Sequence, residues 1–174
     1  MLSRFSLRQF SSSPVRSPFR KPTLLALSGS TREESVNTAL VTAASDLARS
    51  IGANVDLVDM REFPLPLFSD DAEKAGVPDA VLQLKAKFLA ADGLLIASPE
   101  YNGSITPLLC NTLAWMSRSH SPDEGMYAAF KGKLALIMAA SPGALGNLIL
   151  SLACCVLYVS AMLILCSFQA DCAP

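Results

Sequence analysis

Acidic residues are absent from the first 32 positions of this 174-residue chain, and no charged residue lies between Lys133 and Asp171. The chain has one histidine, His120, and none of its five cysteines forms a Cys-x-x-Cys pair. A zinc site is therefore not predicted. An odd number of cysteines on apolar segments indicates free thiols in a reducing compartment. His120 lies in a loop rich in serine and proline, and we interpret it as a solvated residue with no catalytic role.

The acid-free start of the chain is rich in arginine and serine. Five of the 14 basic residues lie in the first 22 positions, and all 15 acids follow them. This composition is typical of an organelle transit peptide, so we predict that residues 1–22 are a disordered mitochondrial targeting segment. A chloroplast address and a tail without any address stay open. The rest of the chain is mildly acidic and shows no basic stripe, which argues against nucleic-acid binding.

The remaining sequence alternates short apolar runs with helical patterns, and 51% of all residues are hydrophobic. Strands that are apolar throughout indicate a parallel sheet covered on both faces. We therefore predict one α/β domain with three layers around a doubly wound parallel sheet, in which ligands bind beyond the carboxyl ends of the strands. The predicted strands are 23–29, 53–60, 93–99 and 133–141, the predicted helices are 36–50, 79–91 and 106–118, and 61–78 is a predicted loop.

Polar loops follow three of these strands, at 28–37, 98–106 and 141–147. The first carries four hydroxyl side chains, Arg32 and Asn37 where a helix begins. A helix N-terminus surrounded by donors is a phosphate site that needs no metal. The loop is neither a Walker A motif nor a Gly-x-Gly-x-x-Gly fingerprint. Two other interpretations stay open: Ser35 only caps the helix, and Asp59 mimics the ribose-binding acid of dinucleotide sites.

The second and third loops would contact a ligand mainly through backbone groups rather than through charged side chains. Pro99 and the Asn102-Gly103 pair predict a tight turn, and Gly103 allows a flat ligand to approach the backbone closely. Tyr101 offers an aromatic ring at the same turn. The third loop, SPGALGN, is again rich in proline and glycine. A phosphate loop beside two such loops suits a phosphorylated planar cofactor such as FMN.

Three motifs in this order resemble the NAD(P)H-dependent FMN reductase family, which includes chromate, quinone and azo-dye reductases with a flavodoxin-like fold. The segment GSTREESVN resembles the family's G-S-x-R-x-x-S-x-N loop. SPEYNGSITPLLCNTLAWMSR and GKLALIMAASPGALGN resemble its P-E-Y-N-G-S and S-P-G segments. The resemblance covers residues 23–168 and implies a flavodoxin-like FMN-binding domain there.

The resemblance also implies an activity and a set of site residues. The implied reaction takes electrons from NAD(P)H through FMN to a quinone, a free flavin or another small acceptor, without a general acid or nucleophile from the protein. A flavodoxin-like electron carrier and an inactive family member are the alternatives. The family is generally oligomeric, and 106–118 with 63–70 would form its pairing surface. The implied FMN contacts are Ser30, Arg32, Ser35 and Asn37 for the phosphate, and Pro99, Glu100, Tyr101, Asn102, Gly103, Ser141 and Gly143 for the ring.

The last part of the sequence departs from the family. Residues 147–168 lack the arginines usual there, Cys110 stands where lysine is common, and Ala114 stands where aspartate is common. We predict a fourth helix at 147–160, a fifth strand at 161–168 and a short tail at 169–174, so the last helix of the fold is expected to be missing. The alternative is a membrane span within 147–168, because about 20 apolar residues cross a bilayer.

Overall fold

A computed structural model describes residues 20–141 and the backbone of residues 163–171. Five strands form one parallel sheet in the order β2-β1-β3-β4-β5. This order is that of the flavodoxin-like doubly wound fold, so the predicted fold class is confirmed. The strands are β1 (Thr23–Ser28), β2 (Asn54–Val58), β3 (Gly93–Ala97), β4 (Leu134–Ser141) and β5 (Leu163–Asp171).

Four α-helices lie in the described ranges: α1 (Val36–Ser50), α2 (Asp70–Ala75), α3 (Asp79–Ala90) and α4 (Pro107–Ser117). The predictions for α1, α3 and α4 are confirmed to within one residue. The prediction that 61–78 is a plain loop was wrong, because α2 and most of a 3-10 helix (Met60–Glu62) lie in it. Ser69 caps α2 and three acids occupy its first turn, a pattern that stabilises a helix N-terminus even without an apolar stripe.

The bounds of β5, at the edge of the sheet, differ from the predicted ones. The fifth strand begins two residues later than predicted and extends to Asp171, so the predicted tail from residue 169 includes its last three residues. The predicted helix at 147–160 lies outside the described residues, as does most of the predicted targeting segment. Within the described ranges, no helix is both long enough and apolar enough to cross a membrane.

Each face of the sheet has its own apolar core, because successive side chains of a strand point to opposite faces. On one face, Leu25 and Leu27 of β1 pack with α3 and α4 around the fully buried Trp115. On the other face, Ala26 of β1 packs against Val41 of α1. Because Ala26 is small while Leu25 and Leu27 on the opposite face are large, α1 packs close to the sheet. The N-terminus of α1 therefore lies directly at the carboxyl ends of the strands.

A buried ion pair fixes the loop that joins α4 to β4. The Nζ atom of Lys85, on α3, lies 2.6 Å from Oε1 of Glu124. The same ammonium donates to the carbonyl oxygens of Met116 (2.6 Å) and Arg118 (2.7 Å). The Lys85 side chain is only 3% exposed. Two carbonyl acceptors and the opposite charge of Glu124 therefore surround the ammonium group, which offsets the cost of burying its charge.

The interpretation of His120 as a solvated residue was wrong, because its side chain is 3% exposed. Its ring packs against Trp115, with ring centroids 6.2 Å apart, and its Nε2 donates to the Trp115 carbonyl oxygen at 3.1 Å. Its backbone N–H donates to Glu124. The Ser/Pro-rich composition indicated an exposed loop, but the ion pair of Glu124 draws the loop back onto α4.

Acid should destabilise this region. Arg118 donates to Glu73 at 2.9–3.2 Å and holds the pKa of that carboxyl below its ordinary value of 4.5. Burial raises the pKa of Glu124, but Lys85 and the His120 N–H together lower this pKa by more than burial raises it. The pKa of Glu124 therefore also lies below its ordinary value of 4.5. Carboxyls with a depressed pKa stabilise the fold above their unfolded pKa and lose that contribution as the pH falls.

We therefore expect the free energy of unfolding to be level above about pH 6 and to fall steadily towards pH 3. Urea unfolding followed by tryptophan fluorescence at a series of pH values measures this, because the single Trp115 lies beside the cluster. The fall should be smaller in Glu73→Gln than in the unmodified protein. Stability that is flat or rises over this range would show that these contacts do not form in solution.

Candidate functional site

The first loop is held open by its own hydroxyl groups. The Ser28 hydroxyl accepts from the Ser30 N–H at 3.2 Å, and the Ser30 hydroxyl accepts from the Arg32 N–H at 3.3 Å. Ser35 caps α1 by accepting from the Thr38 N–H at 3.3 Å, so the capping interpretation is confirmed for this residue. A hydroxyl that accepts one hydrogen bond still carries its own donor. The loop therefore keeps serine donors available beside the N-terminus of α1.

Arg32 lies at the exposed edge of this loop. Its Nη2 donates to the Glu34 carbonyl oxygen at 2.6 Å, which folds the side chain back towards the start of α1. The other guanidinium donors keep a fixed fork geometry that suits phosphate oxygens. The exposed acids Glu33 and Glu34 lie next to it in sequence, but the first turn of α1 itself carries no acid. The end of the helix thus keeps its partial positive charge.

Asn37 joins the first loop to the third. Its side-chain amide is buried, donates to the Ala140 carbonyl oxygen and accepts from the Ala140 N–H, both at 2.9 Å. These two bonds attach α1 to the end of β4, immediately before Ser141. The structure thus gives Asn37 a positioning contact, and its predicted phosphate contact stays a prediction. Ser141 ends β4 at the same edge of the sheet, and Gly143 lies outside the described residues.

The second loop contains a two-residue hairpin turn. Tyr101 and Ser104 exchange backbone hydrogen bonds at 3.0 and 3.1 Å, and Asn102 and Gly103 between them have φ angles of 55° and 75°. Two successive positive φ angles define a type I′ turn, which Asn-Gly prefers. Glu100 accepts from the Gly103 N–H at 2.5 Å, so its carboxylate supports the turn. Tyr101 is left half exposed at the rim of the sheet.

A contact between the first and second loops was missed by sequence reasoning. Thr106 caps α4 and also donates its hydroxyl to the Gly29 carbonyl oxygen at 2.7 Å, across 77 residues of sequence. The Gly29 N–H donates to Ala97 at 2.7 Å. A Cβ added at Gly29 would lie 2.9 Å from both the Ser98 and Thr106 hydroxyl oxygens. The glycine in GST is therefore required for close approach of the two loops, which a local motif does not reveal.

Gly29→Ala should push the first loop away from the second. Overpacking of this kind costs about 1–3 kcal/mol of stability, because neither buried hydroxyl can move far. We expect a lower urea midpoint and at least about tenfold weaker binding of FMN. Gly125→Ala is the matched control, since nothing lies within 4 Å of a Cβ at that position. Equal behaviour of the two variants would show that the loops are not in close contact.

A cavity of about 380 Å³ lies between the two loops. Its walls are residues 29–32 of the first loop, Tyr101 of the second, and Thr106 with the first residues of α4. It opens at the carboxyl ends of β1 and β3, where the chain turns from one side of the sheet to the other. Doubly wound folds bind their ligands at this switch point. The structure thus brings Ser30, Arg32 and Tyr101 of the predicted site to one cavity.

Comparison with known proteins identifies the family of this chain. The family model described as NADPH-dependent FMN reductase matches residues 22–164. The chain belongs to this family. An NAD(P)H-dependent FMN reductase of Pseudomonas aeruginosa is 37% identical over 124 residues, which are 71% of this chain and 62% of the relative. An NADPH:quinone oxidoreductase of Arabidopsis thaliana is 44% identical over 96 residues, which are 53% of this chain and 48% of the relative.

One solved structure of similar fold is that of a flavoenzyme. The NAD(P)H:acceptor oxidoreductase FerB of Paracoccus denitrificans superposes with a TM-score of 0.71 at 27% identity, covering 83% of this chain and 75% of that one. The chain spans 62% and 48% of the length of the two relatives from Pseudomonas and Arabidopsis. These matches show that the chain is a member of the FMN reductase family.

Proposed function

We propose that this FMN reductase family member binds FMN in the cavity between its first two loops and reduces it with NAD(P)H. The observation that carries the proposal is the position of that cavity: it lies between the loop that leads into α1, Tyr101 of the second loop and the start of α4, at the β1–β3 switch point. The FMN phosphate would lie near the start of α1, where hydrogen-bond donors are available. The planar ring would lie beside the aromatic side chain of Tyr101.

The residues present fit this cofactor. Serine hydroxyls, Arg32 and the free N–H groups of a 15-residue helix form a donor set for a phosphate without a metal. Gly29 lets the first loop lie against Ser98 and Thr106, and the type I′ turn at Asn102 directly follows Tyr101, which lines the cavity. Pro99, Glu100 and Gly103 would border the ring mainly through backbone groups, with Ser141 and Gly143 on its other side.

The bound flavin would supply the redox chemistry, accepting a hydride and passing electrons to an acceptor. The protein would bind, orient and exclude water. Arg32 and Ser30 would hold the phosphate, Tyr101 would limit access to the ring edge, and Asn37 would fix the third loop through Ala140. No side chain in the cavity is needed as a nucleophile or general acid.

Purification of the full chain tests the proposal directly. We expect a yellow protein, or a colourless one that gains the bound-flavin absorbance on adding FMN, and oxidation of NAD(P)H when a quinone is present. Anaerobic mixing with NADPH separates a reductase, whose flavin bleaches rapidly, from an electron carrier, whose flavin does not. Protein that neither binds FMN nor oxidises NAD(P)H would refute the function.

We further propose a quinone as the acceptor and a homodimer as the working form. The quinone rests on the similarity to the Arabidopsis NADPH:quinone oxidoreductase. The dimer rests on the outer surface of α4 and the loop before α2, where Leu67 is 83% exposed. That loop is held rigidly, because Asn111 accepts from the Phe68 N–H and Trp115 donates to Pro66, both at 2.8 Å.

Cys110 provides a probe of this pairing surface, because it lies exposed on α4. In a twofold dimer whose axis passes α4 close to Cys110, the Cys110 side chains of the two copies lie near each other. A short bismaleimide should therefore give a cross-linked dimer that Cys110→Ser does not form. Cross-linking that is unchanged in Cys110→Ser would come from the other four cysteines and would contradict this surface.

The arginine- and serine-rich start supports a proposed mitochondrial address, with the chloroplast as the alternative. Fusion of residues 1–22 to a fluorescent protein and imaging in plant cells distinguishes the two organelles. Diffuse fluorescence in the cytosol would refute both.

A further inference from the structure

A second cavity, of about 210 Å³, lies on the far side of the first loop from the proposed flavin site. It is bounded by residues 30–33 of that loop, by Thr38 and Val41 of α1, and by residues 57–61 at the end of β2. Of the residues proposed to bind FMN, only Ser30 and Arg32, on the loop between the two cavities, line it. Its inner wall is apolar, since Val41, Val58 and Met60 are all buried. Such a wall suits a flat or sugar-like group rather than a free ion.

A preformed ion pair stands at the rim of this cavity. The Arg61 guanidinium meets the Asp59 carboxylate with Nε–Oδ1 and Nε–Oδ2 distances of 3.0 and 2.9 Å and an Nη2–Oδ2 distance of 2.6 Å. Asp59 also caps the 3-10 helix by accepting from the Arg61 N–H at 2.9 Å. The short helix therefore holds both side chains directly after β2, while the second terminal nitrogen of Arg61 still carries donors.

The size and position of the cavity limit its occupant. A volume of 210 Å³ is below the roughly 300–1,000 Å³ of pockets that enclose a whole small molecule. Ser30, Thr31 and Arg32 line both this cavity and the one assigned to FMN. A ligand in the second cavity would therefore continue over the first loop towards the flavin. A dinucleotide could bind in this way, with one end in the second cavity and the rest directed towards the flavin. NAD(P)H is the dinucleotide of the proposed reaction.

We propose that the cavity beside β2 binds the adenosine end of NADPH, with Arg61 contacting the 2′-phosphate. This rests on the proposed function, since it assigns a place to the co-substrate of that reaction. An acid at the end of β2 reads the ribose of NAD in dinucleotide folds, and an arginine nearby accommodates the 2′-phosphate of NADP. Here Arg61 neutralises Asp59, which removes the repulsion between that carboxylate and a phosphate.

The charges around Arg61 determine how strongly its removal should weaken the binding of a 2′-phosphorylated nucleotide. Glu33 lies on the loop side of the cavity and Glu62 follows Arg61, and both act on Arg61 through space. With Asp59 they make three carboxylates, against the two guanidinium groups of Arg61 and Arg32, so the local net charge is −1. The phosphate contact would therefore rest on one guanidinium rather than on a basic patch. Removal of Arg61 should weaken a 2′-phosphorylated nucleotide by about tenfold, not by several orders of magnitude.

The test compares Arg61→Ala with Arg49→Ala in the full chain. Arg49 is also an exposed, ion-paired arginine, with Asp46 at 2.9 Å, but it lies at the other end of α1. Calorimetry with 2′,5′-ADP and with 5′-AMP, without FMN, measures the subsite alone. We expect Arg61→Ala to bind 2′,5′-ADP about tenfold more weakly and 5′-AMP almost as before, and Arg49→Ala to match the unmodified protein.

FMN binding and NADPH oxidation in the same samples separate this inference from the proposed function. Loss of 2′,5′-ADP affinity in Arg61→Ala, in a protein that binds no FMN, would refute the function and support the subsite. In the FMN-loaded protein, Arg61→Ala should raise KM for NADPH about tenfold and leave KM for NADH and the FMN affinity unchanged. Equal losses for both nucleotides, no loss, or displacement of 2′,5′-ADP by FMN would overturn the subsite.

Discussion

Replacement of Lys85 by methionine should lower the free energy of unfolding by about 3–5 kcal/mol, which is a large part of the stability of a domain of this size. Methionine keeps the apolar stem of the side chain and removes the charge. Glu124 would then remain nearly buried without its cation, and the Met116 and Arg118 carbonyl oxygens would lose their donor. A buried charge without a partner is costly, because neither water nor another group solvates it.

Lys87→Met is the matched control for this variant. Lys87 lies two residues further along α3 and pairs with Asp56 at 2.8 Å, but its side chain is 36% exposed. Exposed ion pairs contribute about 0–1 kcal/mol, so this change should have little effect. Urea unfolding at neutral pH measures both variants. The double variant Lys85→Met with Glu124→Gln should recover part of the lost free energy of unfolding. If Lys85→Met and Lys87→Met both had small effects, Lys85 would not be buried.

The second large effect should appear at the flavin site. Arg32→Ala should weaken FMN binding by about 10–100-fold, which corresponds to roughly 1.5–3 kcal/mol for a hydrogen-bonded charge pair. The reason is that Arg32 carries the only guanidinium on the loop between β1 and α1. The hydroxyl groups and helix N–H groups of the loop would remain, so binding should be weakened rather than abolished. Quenching of flavin fluorescence measures the dissociation constant.

Riboflavin is the control ligand, because it has the ring of FMN and no phosphate. It should bind Arg32→Ala and the unmodified protein alike. Arg32→Lys should fall between the two for FMN, since lysine keeps the charge and loses the fork geometry. A loss of equal size for FMN and riboflavin would mean that Arg32 supports the shape of the loop, through its bond to the Glu34 carbonyl, and does not bind phosphate.

Much of the sheet could be predicted because its signals are local. Buried parallel strands are apolar throughout, and β1, β3 and β4 each occupy one short apolar run. The turn at Asn102 and Gly103 was equally readable, because few residue pairs tolerate two positive φ angles. The short α2 was not, since four charged residues and two alanines give no apolar periodicity, and only its cap at Ser69 distinguishes it from a loop.

The sequence by itself determined the order of the strands and of the longer helices, the polar loops at the strand ends and the family, because periodicity, turn chemistry and the spacing of motifs are properties of neighbouring residues. Only the tertiary structure decided which polar groups meet. Asn37 reaches Ala140 across 103 residues, Thr106 reaches Gly29 across 77, and Lys85 reaches the Met116 carbonyl across 31. The physical reason is that a buried polar group must find a partner, and the partner's place depends on how the whole chain packs.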